Sequence, residues 1–256
     1  MTNADQVRAE VRGRTLVVTI DRPETRNAIN RGASEAIAEA LDRLDADASL
    51  SVGILTGAGG HFCSGMDLKA FLAGERVELE GRGLAGLVER PPTKPLIAAV
   101  EGFALAGGCE IALACDLIVA SEAAQFGLPE VRRGLIAGSG GLLRLPQRIP
   151  RNIAMEYALT GRPMSAHDAH GFGLVNRLVA QGAALESALA LADEISANGP
   201  LAVAMTKTVI DQAPQWPAQE IWRRQKEILE TVIASGDARE GALAFAEKRK
   251  PRWTGA

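Results

Sequence analysis

The 256-residue chain has few aromatic residues: six Phe, three Trp and one Tyr, 4% of the sequence. Large rings therefore supply little of its core, and its 27 glycines point to small-residue packing with many close backbone approaches. Cysteine is scarce and odd in number. Cys63, Cys109 and Cys115 form no CxxC and have no histidine at metal-ligand spacing, which fits a reducing compartment and predicts no metal site. Long hydrophobic runs are missing too: the stretch from Ala104 to Ala120 is broken by Glu110 and Asp116, and the opening MTNADQVRAEVRG has no apolar leader segment. A soluble, unexported, cytoplasmic protein with no membrane partner is expected. With 28 basic against 31 acidic residues the net charge is −3, so no global positive field exists to hold nucleic acid.

Three familiar motifs are missing where they would have to stand. GxxxxGK[ST] does not occur and no GxGxxG follows the first strand, which removes the usual phosphate loop and dinucleotide turn. The serine-hydrolase elbow GxSxG fails because Phe62 stands two before Ser64 and Ala137 two before Ser139. His61, His167 and His170 have no metal-ligand spacing and are expected at the surface or behind a site.

The remaining composition, 47% hydrophobic and 23% charged, is that of an ordinary globular chain of one large domain plus an appendage. Alternation from Val7 to Val11 and the β-branched run Thr15 to Ile20, joined by Arg12-Gly13-Arg14, predict a hairpin. Asn30 is placed to cap a helix whose Ile37, Leu41 and Leu44 share one face. A buried-type strand SVGILT leads into the glycine-rich GAGGHFCSG and a short helix near DLKAF. The order then repeats with strand PLIAAV, glycine-rich EGFALAGG, helix CEIALAC and strand DLIVA. This recurrence predicts an α/β fold, either a wound sheet or a spiral. From Gly140 the chain turns mostly helical, with a capping Ser165-x-x-Asp168, a stop at Gly171, a strand LVNRLV and helices from Gln181 onward. Glu75 to Pro92, charged and ending in two prolines, is expected to be the most variable segment.

Two glycine-rich turns, SGMDLK at Ser64 to Lys69 and AGGCE at Ala106 to Glu110, each follow a buried strand and open a helix. Helix starts leave backbone N–H groups unpaired, so two such turns could hold a negative oxygen. The plainer alternative is that the glycines only permit tight packing. Glu110 falls in the first turn of an apolar helix, where burial is costly without a hydrogen bond or a task, though it could simply complement the helix end. Glu130, after a proline in FGLPEVRRGL, reads alone as a solvated turn residue.

The blocks HFCSGMDLKAF, KPLIAAVEGFALAGGCEIALACDLIVAS, FGLPEVRRGLIAGSGG, LTGRPMSAHDAHGFGLVN and AFAEKRKPRW, in that order, resemble the enoyl-CoA hydratase/isomerase (crotonase) family from DRPETRNAIN to the C-terminus. The resemblance implies a crotonase spiral of ββα units, related to the ClpP-like fold, over residues 1–195. A C-terminal helical trimerisation region would span residues 196–256, with assembly as a homotrimer or hexamer. It implies an acyl-CoA thioester substrate, coenzyme A being part of the substrate and no separate cofactor being needed. The implied activity is that of an enoyl-CoA hydratase, a lyase of fatty acid β-oxidation.

By motif position the oxyanion donors would be the backbone N–H groups of Met66 and Gly107, and the catalytic base and acid Glu110 and Glu130. Ser64, Met66, Asp67, Leu68 and Lys69 match the family's CoA-contacting strip, and Arg26 and Ala28 the strip near pantetheine and phosphates. Gly138 matches a glycine near the catalytic water. Phe245 and Lys248 match residues that reach a neighbouring subunit's CoA, although Lys248 in EKRKPR also reads as a solvated charge. The sequence departs from the pattern at Ala106, where glycine is frequent, and at Ala137-Gly138-Ser139, where hydratases often carry Pro-Gly-Ala. SGMDLKA, LLRLPQRIP and EGALAFAEKRKPRW look especially like the carnitinyl-CoA dehydratase branch. That reaction, 3-enoyl-CoA isomerisation and non-catalytic acyl-CoA binding are the alternatives. Phe71 to Pro92 is expected to set the acyl group accepted.

Overall fold

A computed structural model describes residues 6–255. Residues 1–5, the start of the segment read as lacking a leader, and Ala256 lie outside the described residues. Strands β1 (Val7–Arg12) and β2 (Thr15–Ile20) form the expected hairpin, Val7 opposite Ile20 and Arg12 opposite Thr15. Gly13 turns it at φ +59°. Asn30 caps α1 (Arg31–Ala46), its side chain accepting from Ala33 N at 2.9 Å.

Then follow β3 (Val52–Gly57), α2 (Leu68–Leu72), β4 (Leu96–Val100), β5 (Phe103–Leu105), α3 (Gly107–Ala114), β6 (Leu117–Ser121) and β7 (Gln125–Gly127). The helix α4 (Gly141–Arg148), α5 (Arg151–Thr160), β8 (Met164–Ser165), α6 (Ala166–Gly171) and β9 (Arg177–Val179) lead to α7 (Ala184–Ser196), α8 (Pro200–Gln212), α9 (Ile221–Ile233) and α10 (Gly236–Ala246).

The main sheet runs β1-β2-β3-β4-β6-β9 and is parallel from β2 onward. Its central strands are buried on both faces, as near-continuous apolar runs in a parallel sheet require. Val17, Ile54, Ile97 and Val119 face α7, whose Ala184, Ala188 and Ala192 recur every fourth residue and let the helix lie close. The alternate residues, among them Val18, Leu55, Ala98 and Ile118, join the main core with Ile37, Leu41 and Leu44 of α1. Each large aliphatic side chain buried there contributes roughly 1.5–3 kcal/mol. A second sheet, β5-β7-β8, branches from the first and carries the turn that opens α3.

The segment from Glu75 to Pro92 differs from expectation in its second half. Leu84, Ala85, Leu87 and Val88 are buried in the main core. Gly86 (φ +63°) approaches α1 so closely that a Cβ there would lie 2.6 Å from Ala38 Cβ. Arg82 anchors this return by two bonds to Asp42, at 2.8 and 2.7 Å. Its charged flanks conceal a short hydrophobic plug.

Lys207 ties α8 to the sheet end, donating to Asp116 Oδ2 at 2.7 Å and to the carbonyls of Pro92 and Lys94. The C-terminal tail folds back: Trp253 Nε1 donates to Ala197 O, and the buried Asp237 carboxylate accepts from Thr254 N and Gly255 N. No helix among the described residues is long and apolar enough to cross a membrane.

Candidate active site

The turns after β3 and after β5 meet. A Cβ built on Gly65 would fall 3.0 Å from Ala106 Cβ and 3.1 Å from Gly107 N, and one built on Gly107 would fall 3.5 Å from Met66 N. A bridge between Ile29 and Met66 fixes the first turn, Ile29 N donating to Gly65 O and Asp67 N to Ile29 O, both at 2.8 Å. That pattern leaves the Met66 N–H over. Gly107 is the first residue of α3, so its N–H has no intrahelical acceptor. Among the described residues neither amide donates within the chain. Two adjacent free donors beside a helix start can hold negative charge on an oxygen.

The glycines here are sterically required. A Cβ at 107 would collide with Leu84 Cδ2, and one at 108 with Cys63 O. Leu84, from the hydrophobic plug, is therefore a wall of the site. Ala106 stands at φ 51°, ψ −128°, a conformation that favours glycine, and so carries backbone strain beside the donors.

Glu110 lies one helical turn further, 2% exposed. Its Oε1 accepts from Ser139 N at 2.7 Å and Gly141 N at 2.9 Å. Both bonds fall on one oxygen, which fixes the carboxyl and leaves Oε2 for another partner. Burial pushes the Glu110 carboxyl above its ordinary range; the two amides oppose this, and the charges of Glu130 and Glu78 add to it. Glu130 sits in the 3-10 stretch Pro129–Arg133, with Oε2 buried and, among the described residues, without a hydrogen-bond partner. Burial raises its carboxyl too, against its own backbone amide and the Arg133 charge. The charges of Glu110 and Glu130 both help to push up the Cys109 thiol. The three thiols are buried and pushed up to about 12, which leaves them poor nucleophiles.

The other expected positions divide. Ser64 N donates to Arg26 O and Ser64 Oγ to Thr25 O, joining the two strips. Arg26 is exposed at φ 54°, its guanidinium 5.5 Å from the Phe103 ring centroid, and Ala28 is buried. Asp67 is occupied structurally: it caps α2 through Lys69 N and Ala70 N and accepts from Arg22 Nη2 at 2.9 Å. Leu68 and Lys69 project outward. Gly138 is exposed with open space around it. Phe245 is 87% exposed at the end of α10, and Lys248 is exposed after it, with no bond from either to the glutamates among the described residues. In the basic tail, Arg249 is spent on Glu240 at 2.6 and 2.9 Å.

Several contributors have no sequence motif. Ser139 and Gly141 act on Glu110 through backbone N–H groups, and Arg22 joins Asp67 to the Ala28 carbonyl. Buried Asn27 (φ 58°) donates to the carbonyls of Ala58 and His61. His61 in turn stacks on Phe103 at 4.6 Å. An open cleft of about 500 Å³ lies apart from this site, between α8 and α9 around Trp216 and Arg224.

The enoyl-CoA hydratase/isomerase family model matches residues 10–256. The carnitinyl-CoA dehydratase of Proteus mirabilis is 42% identical over 252 residues, 95% of this chain and 96% of its own. The enoyl-CoA hydratase EchA19 of Mycobacterium tuberculosis is 44% identical over 251 residues, covering 95% and 94%. The crystal structure of enoyl-CoA hydratase EchA1 from Mycobacterium marinum superposes with a TM-score of 0.97 at 62% identity, covering 98% of this chain and 100% of that one. Near-complete coverage in all three comparisons carries one conclusion: the chain is an enzyme of the enoyl-CoA hydratase/isomerase family and has its crotonase fold.

Proposed function

We propose that the protein is an enoyl-CoA hydratase, adding water reversibly and syn across a 2-enoyl-CoA to give the 3-hydroxyacyl-CoA. The observation that carries this is the adjacency of the unused Met66 and Gly107 amides within one turn of Glu110. When water attacks C3, electrons move into the thioester and charge develops on its oxygen. Two fixed donors aimed there contribute about 3 kcal/mol each to the rate.

Glu110, oriented through Oε1 by Ser139 and Gly141, positions and deprotonates the water with Oε2. Glu130, whose buried and unpartnered Oε2 favours the protonated form, delivers a proton to C2. Dehydration uses the same groups in reverse, and such acid–base help supplies about 10² to 10⁴-fold. The substrate carries its own coenzyme A, so the scheme uses no further cofactor. Arg26, Ala28, Ser64 and Met66 to Lys69 form the CoA strip, with Gly138 beside the water.

Crotonyl-CoA should lose its ultraviolet enoyl absorbance on mixing with the protein. Glu130→Gln should bind the thioester and lose hydration by about 10²-fold or more. Full activity in that variant would overturn the acid assignment. The 42% identity to a carnitinyl-CoA dehydratase supports a second reading, with the same pair of glutamates dehydrating a substituted 3-hydroxyacyl-CoA.

We also infer that residues 1–195 form the catalytic core and 196–256 an oligomerisation region, three or six copies assembling. Exposed Trp222, Leu229 and Ile233 on α9 and Phe245 on α10 support burial between copies. Phe245 and Lys248 would then serve a neighbour's CoA. Light scattering that reports a monomer would remove that shared site.

A further inference from the structure

A half-buried arginine joins two sides of the site. Arg144 stands one turn into α4, and its guanidinium lies so close to Gly140 that a Cβ built there would meet Nη1 at 2.1 Å. Its Nη2 donates to the carbonyl of Val88, 56 residues away in sequence. Val88 closes the hydrophobic plug, its own amide donating to Leu84 O at 3.4 Å, and Leu84 is the side chain that packs on Gly107. One side chain thus ties the wall against Gly107 to the turn that opens α4.

That turn holds Glu110. Gly140 caps α4 at φ +95°, a left-handed position, and its carbonyl accepts from the Leu143 and Arg144 amides at 3.2 and 3.0 Å. Its two neighbours, Ser139 and Gly141, give their N–H groups to Glu110 Oε1. Arg144 therefore grips Gly140 with both its backbone and its guanidinium, between the residues that orient the carboxyl.

Helix capping alone does not require this arrangement. Burial holds Arg144 below the usual guanidinium range, with Arg148 adding to that and the Glu110 charge opposing it. Among the described residues Arg144 forms no ion pair, its guanidinium resting on a backbone carbonyl instead. A cation withdrawn from water without a carboxylate on it bears a burial cost that a geometric task would explain.

We propose that Arg144 is a positioning residue for the base that activates water. By bracing Gly140 against Val88 it keeps the Ser139 and Gly141 amides on Glu110, and so sets where that carboxyl reaches. This rests on the hydratase reading above. Lysine cannot replace it, because an ammonium is a point donor, whereas the planar guanidinium serves Val88 and Gly140 in two directions at once.

The test uses two variants, Arg144→Lys and Arg144→Met, and two reactions. Hydration of crotonyl-CoA needs Glu110. Exchange of the C2 hydrogens of butyryl-CoA in deuterium oxide does not: the Glu130 carboxylate takes the proton, the amide pair holds the charge on the thioester oxygen, and a deuteron returns to C2. Both variants should lose about 10- to 10²-fold in kcat for hydration, as a displacement of roughly 1 Å would cause, with KM changed by less than about threefold. Their exchange rates should stay within about threefold of the wild type. General loosening of the fold would lower both reactions together.

Arg144→Lys keeps the charge and a long stem, so it decides the question even where Arg144→Met does not fold. Full kcat in Arg144→Lys, or hydration and exchange falling by the same factor, overturns this inference while wild-type hydration leaves the hydratase reading standing. A wild-type protein that does not hydrate crotonyl-CoA overturns both.

Discussion

Gly141 Cα faces the Glu110 side chain so closely that an added Cβ would lie 2.9 Å from Glu110 Cγ and 3.0 Å from Leu128 Cδ2. The same residue's N–H holds Glu110 Oε1. Gly141→Ala must therefore push the carboxyl from its place, and a displacement of about 1 Å costs roughly 10²-fold in rate. Expected is a kcat reduced by about two orders of magnitude with thioester binding retained, alongside a stability loss of about 1–3 kcal/mol from overpacking. Steady-state kinetics and a denaturant melt read the two effects separately.

The Glu110 carboxyl predicts an inverted stability profile. Burial raises it, with Glu130 and Glu78 adding and the Gly141 and Ser139 amides opposing. A carboxyl raised by folding binds more protons in the folded chain than in the unfolded one. Its contribution is thus fully present below the ordinary value near 4.5 and is lost as pH rises through the folded value. Glu110→Gln, whose side-chain oxygen can still accept from both amides, should melt above the wild type at pH 8. The gain should disappear at pH 4. Thermal melts across that range decide it, and activity should be lost throughout.

Ala106 offers a stabilising substitution. Its φ of 51° with ψ −128° costs on the order of 1–3 kcal/mol, against about 0.5–1 kcal/mol for the extra freedom glycine has when unfolded. Ala106→Gly should therefore raise the denaturant midpoint by an amount equivalent to about 1 kcal/mol. An unchanged or lowered midpoint would show that the surrounding turn relaxes the strain.

Arg22 should act on affinity without touching the reacting atoms. It joins Asp67 to the Ala28 carbonyl, with both side chains of the ion pair only 12% exposed. Burial opposes the ionised Asp67, but Arg22 and the Ala70 and Lys69 amides hold its carboxyl below the usual range. Arg22→Ala should cost about 2 kcal/mol of stability. Because both strips proposed for CoA are loosened, KM should rise several-fold with kcat largely kept.

Much of the scaffold was legible. The hairpin, the Asn30 cap, β3, β4 and β6 announce themselves through alternation, β-branching and local capping chemistry, which act over a few residues. The branch sheet was hidden, because β5, β7 and β8 have three residues or fewer and pair across long separations within glycine-rich turns. Glu110 stands out as a carboxylate in an apolar helix, and the turns at Ser64–Lys69 and Ala106–Glu110 as glycine-rich helix openings. What orients Glu110 could not be seen in the same way: Ser139 and Gly141 work through amides that nearly every residue type possesses. Leu84 was concealed differently, since the charges around it outweigh a hydrophobic stretch only five residues long.

The pairing of Met66 with Gly107 joins two chain turns that make contact only when the molecule is fully assembled. Neither turn alone brings the two amides together. Under mild urea, turnover should therefore fail earlier than circular dichroism registers any loss of helix, making activity the more sensitive gauge of whether these two loops are seated.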